Sequence, residues 1–388
     1  MAYYFLFPEK DTTIYSHPDR SKMNAGHDEI LEVVKERGST DQKFYPSRIL
    51  IKFKNEEITD LISETIGHST FNNSTSKVNL ELFNANSKNL NATLNLNVFA
   101  ISQSRDEGTG RYSNLPTSSN GCSWIFRNNT TVATEWLGVT ASNFATGTTG
   151  SITSLLTQGG ANWYTASGFT STQQFLAGDS LDTDFDVTDI VKKHSASLFN
   201  NSTFPVGAPN NGFLIKKPEI IEADTGSAFG DLQYFSTDTH TIYPPTLTFK
   251  WDDSIYNDSL TGSAKYSGDL NVSLYRNKEE YNQNDVATFR IHVRDKYPTR
   301  QFASSSNFLN AGYFTTASFY SIRDAHTERE IIPFDTNFTK LSADSEGMYF
   351  KVYMKGLQPE RYYRILFKHT NNDGTAIYDD KYYFKVVR

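Results

Sequence analysis

The sequence predicts an all-β fold made of two sandwiches, a large N-terminal domain followed by a smaller C-terminal one. Three observations lead to this prediction. Aromatic residues make up 14% of the 388 residues, with 28 Phe and 22 Tyr against only 4 Met, and Phe and Tyr fit a pleated, half-buried surface better than a helix. Short apolar runs alternate with stretches rich in Asn, Ser and Thr, which is typical of many strands joined by many loops. Strand patterns also recur at regular spacing near the C-terminus.

Two segments of the N-terminal half carry the clearest strand signals. Residues 93–99 alternate apolar and polar side chains, which places Leu94, Leu96 and Val98 on one face of a sheet and asparagines on the other. The run from Glu29 to Lys35 could form a helical turn, but its short length and β-branched residues favour a strand.

The C-terminal domain is predicted from a polar boundary and the strand signals that follow it. Residues 253–266 are polar and lack periodicity, so we interpret them as a linker between domains at 1–252 and 267–388. Beyond the linker, apolar strand patterns occur at Leu270–Leu274, Phe289–Val293, Phe319–Ile322, Phe350–Met354, Ile365–Phe367 and Tyr383–Val387. Six or seven strands in roughly 120 residues are typical of an immunoglobulin-like sandwich.

Several segments, in order along the first 250 residues, resemble the DNRLRE family, a jelly-roll module related to carbohydrate-binding modules. The matching segments are Asp11–Val33 with its Asn-x-Gly, Ser47–Phe53, Glu107–Phe126, Phe185–Val191, Asn210–Lys216 and Phe235–Phe249. The resemblance implies a jelly-roll-like sandwich for the first domain. Two departures, His194 where the family usually has a Trp and the long loops of residues 102–180, point away from sugar binding.

The second domain resembles an immunoglobulin or fibronectin type III module, because Gly356–Phe367 is similar to their Gly-Leu-x-Pro-x-x-Tyr step into a late strand. This domain pairing resembles virion structural proteins of large tailed bacteriophages. It implies a non-catalytic tail, neck or baseplate component that is assembled in the host cytoplasm and contacts other virion proteins and copies of itself. The main alternative is a carbohydrate-binding module that recognises host-surface glycans, and a third is a polysaccharide depolymerase.

The sequence contains none of the motifs that would indicate an enzyme. The eight His residues are scattered without metal-ligand spacing, and neither a Gly-x-Ser-x-Gly elbow nor a phosphate-binding Gly-Lys-Ser/Thr loop occurs. The single cysteine, Cys122, has no His in a recognisable partner motif, so we interpret it as a small strand residue rather than a nucleophile. We therefore expect no catalysis, no cofactor and no bound metal.

Charge and hydropathy exclude two classes of partner. The formal net charge is −7 and no Lys/Arg cluster is interleaved with aromatic residues, whereas a nucleic-acid-binding protein would present a basic stripe to the phosphates. The N-terminus has no basic region followed by an apolar one, and no stretch approaches the roughly 20 apolar residues of a membrane span. We therefore expect neither nucleic acid nor a membrane as a partner.

The sharpest local feature is an acidic ladder formed by Asp182, Asp184 and Asp186, which fall on one face of an extended chain. Calcium is one interpretation, since it takes oxygen ligands, but it needs six to eight of them. The alternative, which we favour, is that Asp186 binds backbone amides at the turn before Thr188 while the other two face water. Thr188 itself is predicted to be the N-cap of a short helix.

Three aromatic residues are candidate contact residues: Trp136, Trp163 and Tyr164. Gly159 and Gly160 precede Trp163, which predicts a flexible loop with exposed rings. Such rings either stack on sugars or anchor a protein partner, and we favour a protein contact. Trp124, in a strand-like run, is predicted to belong to the core instead.

Overall fold

The computed structural model of the chain describes residues 2–136, 143–144, 147–150, 159–199, 207–257, 270–275, 277–297, 312–371 and 374–388. Strands predominate in these residues, most of them in antiparallel sheets, and the helices are few and short. The predicted all-β fold is therefore confirmed.

The chain divides into two compact units. One comprises Leu6–Thr248, and the other comprises Phe249–Arg388 together with Met1–Phe5. The division falls within β1 (Ala2–Leu6) and β18 (Thr246–Trp251). The sequence placed all of the N-terminus in the first domain, whereas its first five residues belong with the C-terminal unit. Most of the predicted linker, residues 258–266, lies outside the described residues.

The largest sheet of the N-terminal unit has the strand order β14-β8-β16-β5-β2, with β4 also paired to β5. These strands are β2 (Pro8–Tyr15), β4 (Lys35–Arg37), β5 (Phe44–Phe53), β8 (Thr93–Ala100), β14 (Thr170–Leu176) and β16 (Phe213–Lys216). Leu94, Leu96 and Val98 of β8 are buried, as their alternation predicts, because one face of the sheet packs on the core.

The remaining strands of this unit form smaller groups. A three-stranded sheet has the order β3-β17-β7, β15 pairs with β6, β10 pairs with β9, and another three-stranded sheet has the order β11-β12-β13. Their bounds are β3 (Ile30–Val33), β6 (Lys77–Leu82), β7 (Asn84–Lys88), β9 (Phe126–Asn128), β10 (Thr134–Glu135), β11 (Asn143–Phe144), β12 (Gly147–Gly150), β13 (Trp163–Tyr164), β15 (Thr183–Asp186) and β17 (Asp231–Phe235). The strand predicted at Glu29–Lys35 is confirmed by β3.

The described helices are α1 (Asn55–Asp60), a π-helical segment (Leu61–Ile66), α2 (His68–Asn72), α3 (Thr188–Phe199) and α4 (Glu219–Ala223). None of them is long and apolar enough to cross a membrane. The helix predicted at Thr188 is α3, but the predicted capping role of Thr188 is wrong. Its hydroxyl accepts the Val78 amide at 2.9 Å, while Asp186 Oδ1 accepts the Thr188 amide at 3.1 Å.

The C-terminal unit contains two sheets, with strand orders β19-β21-β25-β24 and β20-β27-β26-β22-β23. The strands are β19 (Leu270–Tyr275), β20 (Glu280–Asn282), β21 (Val286–Asp295), β22 (Ser318–Asp324), β23 (Glu330–Ile332), β24 (Ser342–Asp344), β25 (Gly347–Tyr353), β26 (Arg361–Asn371) and β27 (Gly374–Val387). Each of the six strand signals of the sequence falls in one of these strands, apart from Met354, which begins a short 3-10 turn.

Aromatic rings fill the core of the C-terminal unit. Phe350 stacks on Phe289 with ring centroids 5.2 Å apart and on Tyr320 at 4.3 Å. Phe384 lies 5.3 Å from Phe289 and 5.5 Å from Tyr363. Each ring is buried and comes from a strand, and this core accounts for part of the high Phe and Tyr content of the sequence.

Candidate functional site

The three predicted contact residues are buried. Trp163 and Tyr164 are each 3% exposed and Trp136 is 4% exposed, so the expectation of exposed rings is wrong. Gly159 and Gly160 do have positive φ angles, of 126° and 80°. They serve close packing, because a Cβ on Gly159 would overlap the backbone of Trp124, and one on Gly160 the Trp124 ring.

Trp163 forms one wall of a buried charge cluster, which we define as Arg48, Lys216 and Glu222. Arg48 on β5 lies between two indoles, 5.0 Å from the Trp124 ring and 4.9 Å from the Trp163 ring. Its Nε donates to Glu222 Oε1 at 3.1 Å and its NH2 to Oε2 at 2.6 Å, while NH1 donates to the Gly160 carbonyl. The Arg48 guanidinium thus fixes α4 and the loop before β13 against the main sheet.

The charge cluster contains two cations and one carboxylate. Lys216 Nζ donates to Glu222 Oε2 at 3.0 Å and lies 5.1 Å from the Trp163 ring. Burial would raise the pKa of Glu222, but Arg48 and Lys216 outweigh burial and hold that pKa below its usual value. Burial, together with the charge of Arg48, lowers the pKa of Lys216. No face of the cluster is exposed, so it offers no platform for a ligand.

The Asn-x-Gly motif forms a second buried junction, centred on Asn24. Asn24 Nδ2 donates to the carbonyls of Glu107 at 2.6 Å and Cys122 at 2.8 Å, and Asn24 Oδ1 accepts the amides of Gly26 at 3.1 Å and Gly110 at 2.8 Å. All four hydrogen-bonding positions of the side-chain amide are occupied. This single side chain therefore holds together the backbone at Gly26, Glu107, Gly110 and Cys122.

Asp11 is a buried carboxylate beside this junction. Its Oδ2 accepts the amide and the hydroxyl of Thr237, both at 2.7 Å, and Glu107 Oε1 accepts the Asp11 amide at 2.9 Å. Burial raises the pKa of Asp11 to about 7, against the opposing effect of the Thr237 hydrogen bonds and with a contribution from the Glu107 and Asp238 charges. Asp238 in turn lies 3.2 Å from His27.

The acidic ladder is held by protein groups. Asp186 forms an ion pair with Lys77 at 2.6 Å and binds the Thr188 amide, as our favoured interpretation expected. Asp184 accepts from Asn79 Nδ2 at 2.5 Å, and Asp182 accepts the Asn84 amide at 2.7 Å. In the part of the chain that the structure describes, no group of three His, Cys, Asp or Glu residues is placed to hold a metal ion.

Two chemically reactive side chains, Cys122 and His194, are buried and held uncharged. Burial raises the pKa of the Cys122 thiol to about 11, although the charge of Arg105 opposes this. Burial lowers the pKa of His194 to about 4, and its Nδ1 lies 3.3 Å from the Ala208 carbonyl. Neither group is prepared for nucleophilic or acid–base chemistry at neutral pH.

The feature that the sequence analysis missed is the outer edge of β14, which ends the largest sheet. β14 pairs with β8 over seven consecutive residue pairs without a register shift. The Ala100 amide donates to the Phe169 carbonyl and the Ala177 amide to the Ala92 carbonyl, which sets the register of the ladder. Because antiparallel pairs alternate, the backbone groups of Thr170, Thr172 and Gln174 point away from β8.

These outward groups form an open edge. Within the described ranges, the amides and carbonyls of Thr170, Thr172 and Gln174 have no hydrogen-bond partner. The strand Thr-Ser-Thr-Gln-Gln-Phe-Leu contains no charge and no proline, two of the usual means of preventing a strand from pairing at its edge. The uncharged composition of residues 170–176 is visible in the sequence and could have indicated an unprotected edge strand.

No protein-family model matches this chain, and neither does any of the curated proteins compared with it. The resemblances to the DNRLRE family and to phage virion proteins stay predictions.

Proposed function

We propose that this chain is a non-catalytic structural protein of a tailed-phage virion, a tail, neck or baseplate component that acts through protein–protein contacts. In this proposal the N-terminal unit is a jelly-roll-like sandwich and the C-terminal unit is immunoglobulin-like. Its partners are other virion proteins and copies of itself.

The strand order of the C-terminal unit supports the immunoglobulin-like assignment. When β19, β21, β22, β24, β25, β26 and β27 are lettered A to G in chain order, one sheet reads A-B-E-D and the other contains G-F-C, which is the order in immunoglobulin-type domains. Tyr363, near the start of β26, donates its hydroxyl to the Gln358 carbonyl at 3.0 Å. A tyrosine at this corner that binds backbone upstream is a further feature of the class.

The observation that carries the functional proposal is the open, uncharged edge of β14. An edge strand with open backbone groups readily pairs with another chain, and monomeric proteins normally protect such edges. In an assembly protein, an open edge strand can form a subunit contact, because strand addition supplies main-chain hydrogen bonds between the two chains.

The glycan-binding alternative draws on the resemblance to carbohydrate-binding modules and on Trp136, Trp163 and Tyr164. The burial of these three residues leaves none of their ring faces free to stack on a sugar. No other observation on the described residues favours that function over assembly. A glycan array probed with the purified protein tests it directly, and specific retention on the array would replace the assembly proposal.

The test of the proposal is mass spectrometry of purified virions from phages of the source organism. We expect peptides of this chain at a fixed ratio to the other virion proteins in particles separated on a density gradient. Its presence in infected-cell lysate but not in intact particles would overturn the proposal. A chain released by a mild salt wash, without loss of particle integrity, would also contradict a structural role.

A further inference from the structure

A small apolar cavity opens at the C-terminal end of β14. It has a volume of about 240 Å³, and its apolar walls include Leu90, Leu94, Phe175 and Leu176. Leu90 is 46% exposed and Leu176 is 53% exposed. Neighbouring exposed leucines around a concave site indicate a contact surface, since such side chains are costly to leave in water.

The margin next to the open edge is acidic. Gln173 of β14 accepts the Asp184 amide through its Oε1 at 2.8 Å, so the acidic ladder runs alongside this strand. Asp186 is neutralised by Lys77. Asp182 and Asp184 have no cation partner within the residues that the structure describes, and a group added to the edge of β14 enters a negative field.

We propose that the β14 edge takes an extended segment of another polypeptide as an added strand, with one apolar side chain in the cavity and Lys or Arg side chains beside the acidic ladder. The proposal rests on the assembly function and identifies the chemistry of one partner. Backbone pairing supplies affinity, and the cavity and the charges supply selectivity, as in other cases of strand addition.

The acidic margin also argues against a second copy of this chain as the occupant. Antiparallel pairing of β14 with itself places a two-fold axis perpendicular to the sheet. Such an axis brings the acidic ladder of one copy towards the ladder of the other on the same side of the joined sheet. Like charges that approach in this way disfavour the contact, whereas a basic segment is attracted.

The probe is a fluorescein-labelled heptapeptide with leucine as its first residue, followed by alternating lysines and threonines, so that antiparallel pairing with β14 places the leucine opposite Leu176 at the cavity. We expect saturable binding to the full-length protein, measured by fluorescence anisotropy, that weakens as NaCl is raised from about 50 to about 500 mM because salt screens the acidic margin. The same peptide with alternate backbone amides N-methylated lacks the pairing donors and should bind about tenfold more weakly or less. A version with aspartates in place of lysines should not bind.

Protein variants test each part of the site. Thr172→Pro removes an outward amide while leaving the β8 ladder intact, and proline is tolerated at such edge positions. It should weaken peptide binding about tenfold, whereas Thr172→Ala keeps the amide and should bind like wild type. Leu176→Ser should weaken binding at the cavity. Its matched control is Leu115→Ser, on a side chain that is 93% exposed elsewhere in the same unit. Thermal unfolding of each variant checks that the fold is retained.

Three results would overturn the inference: no binding of the lysine peptide at about 1 mM protein, equal binding of the N-methylated peptide, or unchanged binding by folded Thr172→Pro. Sedimentation of the free protein provides a fourth test. If the wild-type protein is a dimer and Thr172→Pro is a monomer, the occupant of the β14 edge is a second copy of this chain. Peptide binding by a chain that is absent from virions would instead refute the assembly function and leave the edge site standing.

Discussion

Replacing Glu222 by Gln should destabilise the N-terminal unit more than almost any other change of one functional group. Glu222 is the only anion of the charge cluster and accepts two hydrogen bonds from Arg48 and one from Lys216. All three side chains are at most 2% exposed. Gln keeps the size of the side chain but leaves two buried cations without a counter-charge.

The expected cost is about 3–5 kcal/mol, the usual range for removing one partner of a buried ion pair. It arises mostly from the desolvated charges left behind and less from the lost hydrogen bonds, because Gln can still accept one. A loss of this size is a large part of the roughly 5–15 kcal/mol that separates folded and unfolded states of ordinary domains.

Lys216→Met is the matched variant, since it removes the surplus cation of the same cluster. The bidentate pair between Arg48 and Glu222 stays balanced, and the methionine fills apolar space beside the Trp163 and Phe99 rings, which Lys216 Nζ approaches to 5.1 and 5.8 Å. We expect a cost below about 1.5 kcal/mol, as for other swaps that conserve volume in a core. The ordering of the two variants tests the charge argument independently of absolute values.

Equilibrium urea unfolding at pH 7, followed by tryptophan emission, measures both variants. Trp124 and Trp163 contact Arg48 directly, so the emission change reports on the unit that contains the cluster. The reasoning is refuted if Glu222→Gln costs no more than Lys216→Met, or if both lie within about 0.5 kcal/mol of wild type, the range of ordinary surface substitutions.

Three further predictions follow from single residues. The pKa of Asp11 is about 7 in the folded protein against an ordinary value of 3.8, so the folded state retains a proton that the unfolded state loses. Stability should fall as pH rises from about 4 to 7, by up to about 4 kcal/mol, and urea midpoints of Asp11→Asn across this window should lose that slope. Trp163→Ala should lower the free energy of unfolding by about 3–5 kcal/mol because it leaves a cavity in the core. An unchanged urea midpoint would show that the Trp163 ring is exposed and available for a protein contact. Tyr363→Phe should cost about 1 kcal/mol, seen as a lower Tm, because the Gln358 carbonyl loses its donor; an unchanged Tm would show the corner bond to be dispensable.

Local patterns predicted the strands well because apolar and polar residues alternate in a strand with one buried face. The sequence of such a strand shows which side chains point inward. Leu94, Leu96 and Val98 illustrate this, and so does Ile30–Val33, where β-branched residues outweighed a possible helical turn. The start of α3 was also readable, although the capping oxygen comes from Asp186 and not from Thr188.

The environment of the loops could not be predicted in the same way. Trp163 follows two glycines in a polar stretch, and its packing against Arg48, Lys216 and Phe99, all distant in sequence, makes it a core residue. Asn24 likewise acts through the backbone of Glu107 and Cys122. Glycine is compatible with flexibility and with close packing, and the sequence alone does not distinguish the two.

The two edge strands of the largest sheet, β2 and β14, differ in how well their backbone groups are protected from pairing with another strand. At one end, β2 begins Pro-Glu-Lys-Asp, and the Asp11 amide is taken by the Glu107 carboxylate. Proline, charge and a covering loop are the means by which proteins close an edge. At the other end, β14 itself contains no proline or charge, and the carboxylate of Asp179 accepts only the amide of its last residue, Leu176, at 2.9 Å. Since this chain protects one edge of the sheet, the open amides and carbonyls of Thr170, Thr172 and Gln174 at the other support the proposal that β14 receives an added strand.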